Sequence, residues 1–158
     1  MREISIREAT IDDLPAIIRL LAEDFLGSRR ERLENPLPES YTKAFREIES
    51  DPNNELIVAE LNGEIIGTLQ LNYTPSLSFR GSKRSTVESV RVDARYRGQG
   101  IGREMMLWAI ERAREKGCTS MQLTSHKERK DAHRFYEKLG FKATHVGMKI
   151  GLTEPKNQ

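Results

Sequence analysis

The sequence predicts a mixed α/β fold, a central mixed sheet of about six to seven strands flanked by about four helices. Three observations carry that expectation: strand-like alternation interleaved with helix-period stripes, an Asn-Gly turn between two long strand patterns, and a glycine-rich turn leading from a strand into a helix.

The elements follow in order. Residues 4–7 alternate apolar and polar as a first strand, and Thr10 then offers an N-cap three positions before Asp13. Ile11, Leu14, Ile17, Ile18, Leu21 and Phe25 recur at three- and four-residue spacing, which predicts a first helix with Gly27 as its stop. The charged, proline-bearing stretch 28–40 reads as a loop before a second helix at about 41–48. Residues 55–61, Asn62-Gly63 and 64–73 form a hairpin. Within it Ile65, Gly67, Leu69, Leu71 and Tyr73 are expected to share one face, and Thr68, Gln70 and Asn72 the other.

Residues 86–92 read as the next strand, and a helix begins near Gly100. Ile101, Met105, Trp108, Ala109 and Ala113 mark its buried stripe, with Lys116-Gly117 as its end. A short strand at 121–124 precedes a last helix striped by Ala132, Phe135, Tyr136 and Leu139. Residues 141–144 and 147–150 are expected to pair as closing strands. One domain is expected over residues 1–152, with 153–158 as a disordered tail.

Composition limits the classes. The chain of 158 residues is 37% apolar and 32% charged, in the range of a soluble globular protein. A net charge of +2 argues against nucleic acid as a partner, and no apolar run is long enough to span a bilayer. With no signal-peptide core, the expected location is cytoplasmic. The single cysteine, Cys118, excludes an internal disulfide, and the absence of zinc-ligand spacing predicts no metal.

The run from Val90 to Arg103 is the most informative. A strand feeding Gly98, Gly100 and Gly102 at a helix start leaves several backbone N–H groups without partners at the positive end of the helix dipole. That arrangement suits a phosphate, and Arg97 and Arg103 bring positive charge to its rim. A P-loop would need Gly-Lys-Ser/Thr, and a Rossmann turn would need Gly-x-Gly-x-x-Gly; the spacing here is Gly-x-Gly-x-Gly.

The pattern Arg97-x-x-Gly100-x-Gly102, preceded by Val90-Arg91-Val92, resembles the acetyl-CoA signature of the GNAT N-acetyltransferases. A second stretch, Ala132-His-Arg-Phe-Tyr136-Glu-Lys-Leu-Gly-Phe141, is similar to the family's last helix with its tyrosine before a Gly-Phe strand start. The resemblance implies a sheet splayed between its fourth and fifth strands, with acetyl-CoA as co-substrate. Its pantetheine arm would lie along Val90, Arg91 and Val92. Its pyrophosphate would lie on the amides from Gly98 to Arg103, with Gln99 and Ile101 contributing mainly backbone. Tyr136 matches the tyrosine near the cofactor sulfur, a general acid for the departing thiolate. Many family members carry Asn where this chain has Arg129, so contacts there are expected to be ionic. The resemblance also makes a homodimer an expectation.

An alkylamine has a pKa near ~10 and must lose a proton to attack a thioester. Glu88 is the first candidate base, because strict alternation would put it on one face with Val90 and Val92. His126 is the second candidate. Direct transfer to a primary amine of a small metabolite is expected. A protein or peptide amine is the alternative acceptor, and a non-catalytic acyl-CoA-binding module is the rival of another class.

Overall fold

The structure is a computed structural model that describes residues 3–153. They fall into two compact units, one ending at Leu123 and one starting at Thr124. Residues 154–158 of the expected tail lie outside the described residues.

The first unit contains one five-stranded sheet with its strands in chain order. These are β1 (Ser5–Glu8), β2 (Asn54–Leu61), β3 (Glu64–Pro75), β4 (Lys83–Val92) and β5 (Ser120–Gln122). The first three pairings are antiparallel and the β4–β5 pairing is parallel. The same unit carries helices α1 (Leu14–Ala22), α2 (Phe25–Arg30), α3 (Glu39–Ser50), α4 (Ser78–Gly81) and α5 (Ile101–Glu115), and the second unit carries α6 (Lys130–Lys138).

The Asn62-Gly63 turn forms as the sequence predicts, with positive φ at both residues, the twist a tight hairpin needs. Each sheet face is then set by register, because cross-strand partners share a face. On one face a Cβ added to Gly67 would press on Met105 Sδ at 2.5 Å, so β3 and α5 are in close contact there. Ile57, Leu69, Leu71, Tyr73 and Val87 are buried on that α5 side. On the opposite face Val58 packs with Ile17 and Leu20 of α1, and Phe45 of α3 packs with Leu14 and Ile18. Ile65, expected on the Gly67 face, joins the Val58 cluster because the register shifts between Ala59 and Glu60.

Three expectations are corrected. The described residues hold five strands and not six or seven, because 141–144 and 147–150 form none. Thr144 N–H instead donates to Lys142 C=O at 2.9 Å, a local turn that takes the chain out of extension before a ladder can start. The α-helices among the described residues number six and not about four. One addition is α4, a single irregular turn with Phe79 and Arg80 in the left-handed region. The other is α2, where Gly27 was expected as a helix stop. Asp24 leaves the helical conformation after α1 and caps α2 by accepting the Gly27 N–H at 2.6 Å, which restarts the helix at Phe25. Glycine is needed inside α2 because a Cβ at Gly27 would overlap the Leu21 carbonyl oxygen.

Candidate active site

β4 pairs with β5 only at Arg84, Ser85 and Thr86. From Val87 onward the β5-side edge of β4 has no strand partner among the described residues, which is where the sequence places a splay. Asp93 N–H donates to Ile66 C=O at 2.8 Å across β3. By alternation the backbone groups of Val90 and Val92 face the open edge. Two arginine side chains already use those carbonyls: Arg91 donates to Val90 C=O at 2.9 Å, and Arg97 donates to Val92 C=O at 3.2 Å.

The strand is not regular. Gln70 pairs with Glu88 and Thr68 with Arg91, so β4 holds one extra residue between them, and Ser89 sits there at φ 53. The bulge reverses the alternation. Glu88 and Arg91 therefore share the α1 side with Gln70 and Thr68, while Val90 and Val92 turn to the α5 side. Strict alternation had placed Glu88, Val90 and Val92 together, and the bulge separates them. Glu88 is exposed, and Arg91 lies 3.8 Å from the Asp24 carboxylate that caps α2.

After β4 the chain is pinned by Asp93, which is 1% exposed. Its carboxylate accepts from Arg19 of α1 at 3.2 Å and from the Arg95 N–H and side chain at 2.9 Å. The Arg95 side chain above all, with Arg19, holds the Asp93 carboxyl well below the usual carboxylate range. Arg95 also pairs with Glu64, and Ala94 N–H donates to Glu23 at 3.0 Å. These contacts hold the loop from both the hairpin and α1.

The loop then opens into α5. Gly98 (φ 76) and Gly100 (φ 84) are left-handed, a conformation costly for residues with a Cβ. Gly100 is the N-cap of α5, and Ile101, almost completely buried, fixes the first turn to the core. The N–H groups of Gly98, Gly100, Ile101, Gly102 and Arg103 donate to no acceptor among the described residues. Gln99 reaches back to Arg95 C=O at 3.4 Å. Arg97 and Arg103 are exposed at the rim, and Arg97 approaches Glu23 to 4.0 Å. A cradle of free amides with two exposed cations at its rim fits a pyrophosphate.

In the second unit Tyr136 packs between Phe135 and Phe141, with ring centroids at 5.1 and 5.9 Å. Its carbonyl accepts the Phe141 N–H at 3.1 Å, which fixes the turn after α6. His126 accepts the Glu128 N–H on Nδ1 at 3.2 Å, so one of its ring nitrogens is engaged. Arg129 is the N-cap position of α6, and Arg134 pairs with Asp131. No group of three or more His, Cys, Asp and Glu among the described residues is placed to hold a metal ion.

Sequence reasoning missed two features of this site. The Ser89 bulge showed only in the three-residue step from Val87 to Val90, and serine itself gave no hint because it is an unusual occupant of a left-handed position. Asp93 had a signal: an acidic residue directly after a strand and before a short turn is a natural cap.

The model of the acetyltransferase (GNAT) family matches residues 14–141. The chain belongs to that family, and its class is that of the N-acetyltransferases. It is 30% identical over 141 residues to an aminoalkylphosphonate N-acetyltransferase of Salmonella typhimurium, covering 89% of this chain and 86% of that one. It is 36% identical over 90 residues to a glucosamine 6-phosphate N-acetyltransferase of Trypanosoma brucei brucei, covering 57% of this chain and 59% of that one. The crystal structure of a protein described as a transcriptional regulator, from Bacillus halodurans C-125, superposes with a TM-score of 0.92 at 55% identity. That match covers 95% of this chain and all of that one.

Proposed function

We propose that this protein transfers the acetyl group of acetyl-CoA directly to the primary amine of a small metabolite. The observation that carries the reading is the set of unpaired amides of Gly98, Gly100, Ile101, Gly102 and Arg103 beside the open edge of β4. The two named relatives act on small amines, which supports a metabolite over a protein acceptor. The reading takes residues 1–152 as one catalytic domain, since the family match runs through both units.

Bound acetyl-CoA supplies an activated thioester; the chain's own groups hold it and move protons. Amides from Gly98 to Arg103, with Arg97 and Arg103, hold the pyrophosphate. Backbone groups of Val90 and Val92 orient the pantetheine arm after Arg91 and Arg97 release their carbonyls. The amine nitrogen forms the new C–N bond as the C–S bond breaks. Its surplus proton goes to Glu88, directly or through water, with His126 as the second candidate, and the Tyr136 hydroxyl protonates the departing sulfur. The bulge favours Glu88 as a group facing the acceptor, because it turns the carboxylate to the α1 side while Val90 and Val92 keep the open edge.

Calorimetric titration with acetyl-CoA, followed by thiol release across an amine panel, tests the reading. Micromolar binding with amine-dependent release is expected. Binding without release for any amine would leave a non-catalytic acyl-CoA-binding module. A net charge of +2 offers little field for nucleic acid, so no regulator reading is adopted from the Bacillus neighbour.

A further inference from the structure

Two sides of the sheet differ in chemistry. Where the α5 side is apolar and buried along β3 and β4, the α1 side carries Asn54, Gln70, Asn72 and Thr86 across β2, β3 and β4, half-buried and polar. These groups form a polar lattice of two separate hydrogen-bonded sets. Gln70 donates to Asn54 at 3.3 Å, Asn72 to the same oxygen at 3.4 Å, and Gln122 of β5 to Thr86 at 3.4 Å. Beyond Val58 and Leu56, where α1 and α3 pack, this part of the face is polar where a helix-packing surface would be apolar, and it is suited to meet a polar molecule.

Arg84 shares this face with Thr86 and Glu88 by register. Its guanidinium makes no hydrogen bond or ion pair among the described residues, although its Nε is buried. Three neighbouring arginines are engaged, Arg91 with Asp24, Arg95 with Asp93 and Arg97 with Val92, and Arg103 is exposed at the rim. A buried guanidinium nitrogen without an acceptor carries an unpaid desolvation cost that a bound anion removes. Glu88 lies four residues further along the strand, about 13 Å at strand rise, and a long arginine side chain spans roughly half of that.

We propose that the polar face around Arg84 is the floor of the acceptor site, and that the acceptor is a small amine carrying an anionic group. Arg84 holds the anion, and the Gln70–Thr86 lattice receives the polar linker. The amine is left at Glu88. This rests on the proposed function, and it adds the feature by which this chain selects among amines.

The test pairs binding with turnover. 3-Aminopropylphosphonate and propylamine are titrated calorimetrically into the CoA-loaded protein, and both are assayed for acetylation. The phosphonate is expected to bind at least about tenfold tighter than propylamine. Arg84→Gln should erase that preference, and Arg84→Lys should restore part of it. Neither variant should change acetyl-CoA affinity. Equal binding of the two amines by the native protein, or an unchanged preference in Arg84→Gln, overturns the inference while leaving acetyl transfer intact. Selective phosphonate binding without acetylation of either amine supports the anion site and instead counts against the proposed reaction.

Discussion

Asp93 ties three segments together at one carboxylate: the end of β4, the turn that leads to the glycines, and Arg19 of α1. Because its folded pKa is depressed, its contribution is present above the ordinary carboxylate value of about 3.9 and is lost as the pH falls below it. Asp93→Asn is therefore expected to cost about 2 kcal/mol at pH 7, with the gap to the native protein narrowing at pH 3. Urea unfolding at both pH values measures this. Asp13, also depressed chiefly by its bond to Arg7, is common to both proteins and cancels in the difference. Tyr136 makes a different kind of prediction. Tyr136→Phe keeps the packing on Phe135 and Phe141 but removes the hydroxyl, so kcat should fall at least about tenfold with the acetyl-CoA KM nearly unchanged. An unaltered kcat would mean the sulfur takes its proton from another group.

Two junctions between elements decide how the site is presented. The first is the start of α5, where Gly100→Asp would place a carboxylate among the amides proposed to hold phosphate. Acetyl-CoA affinity should fall about a hundredfold while the melting temperature shifts by only a few degrees, read by titration and thermal unfolding. The second is the α1–α2 break. Gly27→Ala should cost about 1–3 kcal/mol, because the new methyl meets the backbone of α1 and neither helix can shift freely. The β2–β3 hairpin, β4 and α5 were legible because each repeats a period over many residues. Three features were not. The α1–α2 break turns on a carboxylate that reaches three residues ahead, the Ser89 bulge on a left-handed serine, and the missing closing strands on a local turn at Lys142–Thr144. The first and last leave the hydrophobic period unchanged, and the bulge alters it only by the single three-residue step from Val87 to Val90.

Across the molecule the division of labour follows the two sheet faces. One face is sealed by α5, which also presents its amide-bearing N-terminus, and the other carries polar side chains and the Glu88 carboxylate. The glycine turn proposed to hold the pyrophosphate was readable from the sequence because glycine spacing reports backbone conformation directly. The proposed acceptor face was not, because its polar groups come from four strands and meet only through register. The central claim is acetyl transfer from acetyl-CoA to a small amine. The most direct measurement is thiol release by the full chain with acetyl-CoA across an amine panel, with products identified by mass. Stoichiometric CoA thiol and a product heavier than its amine by one acetyl group are predicted. Tight acetyl-CoA binding with no acetylated product from any amine would contradict the account.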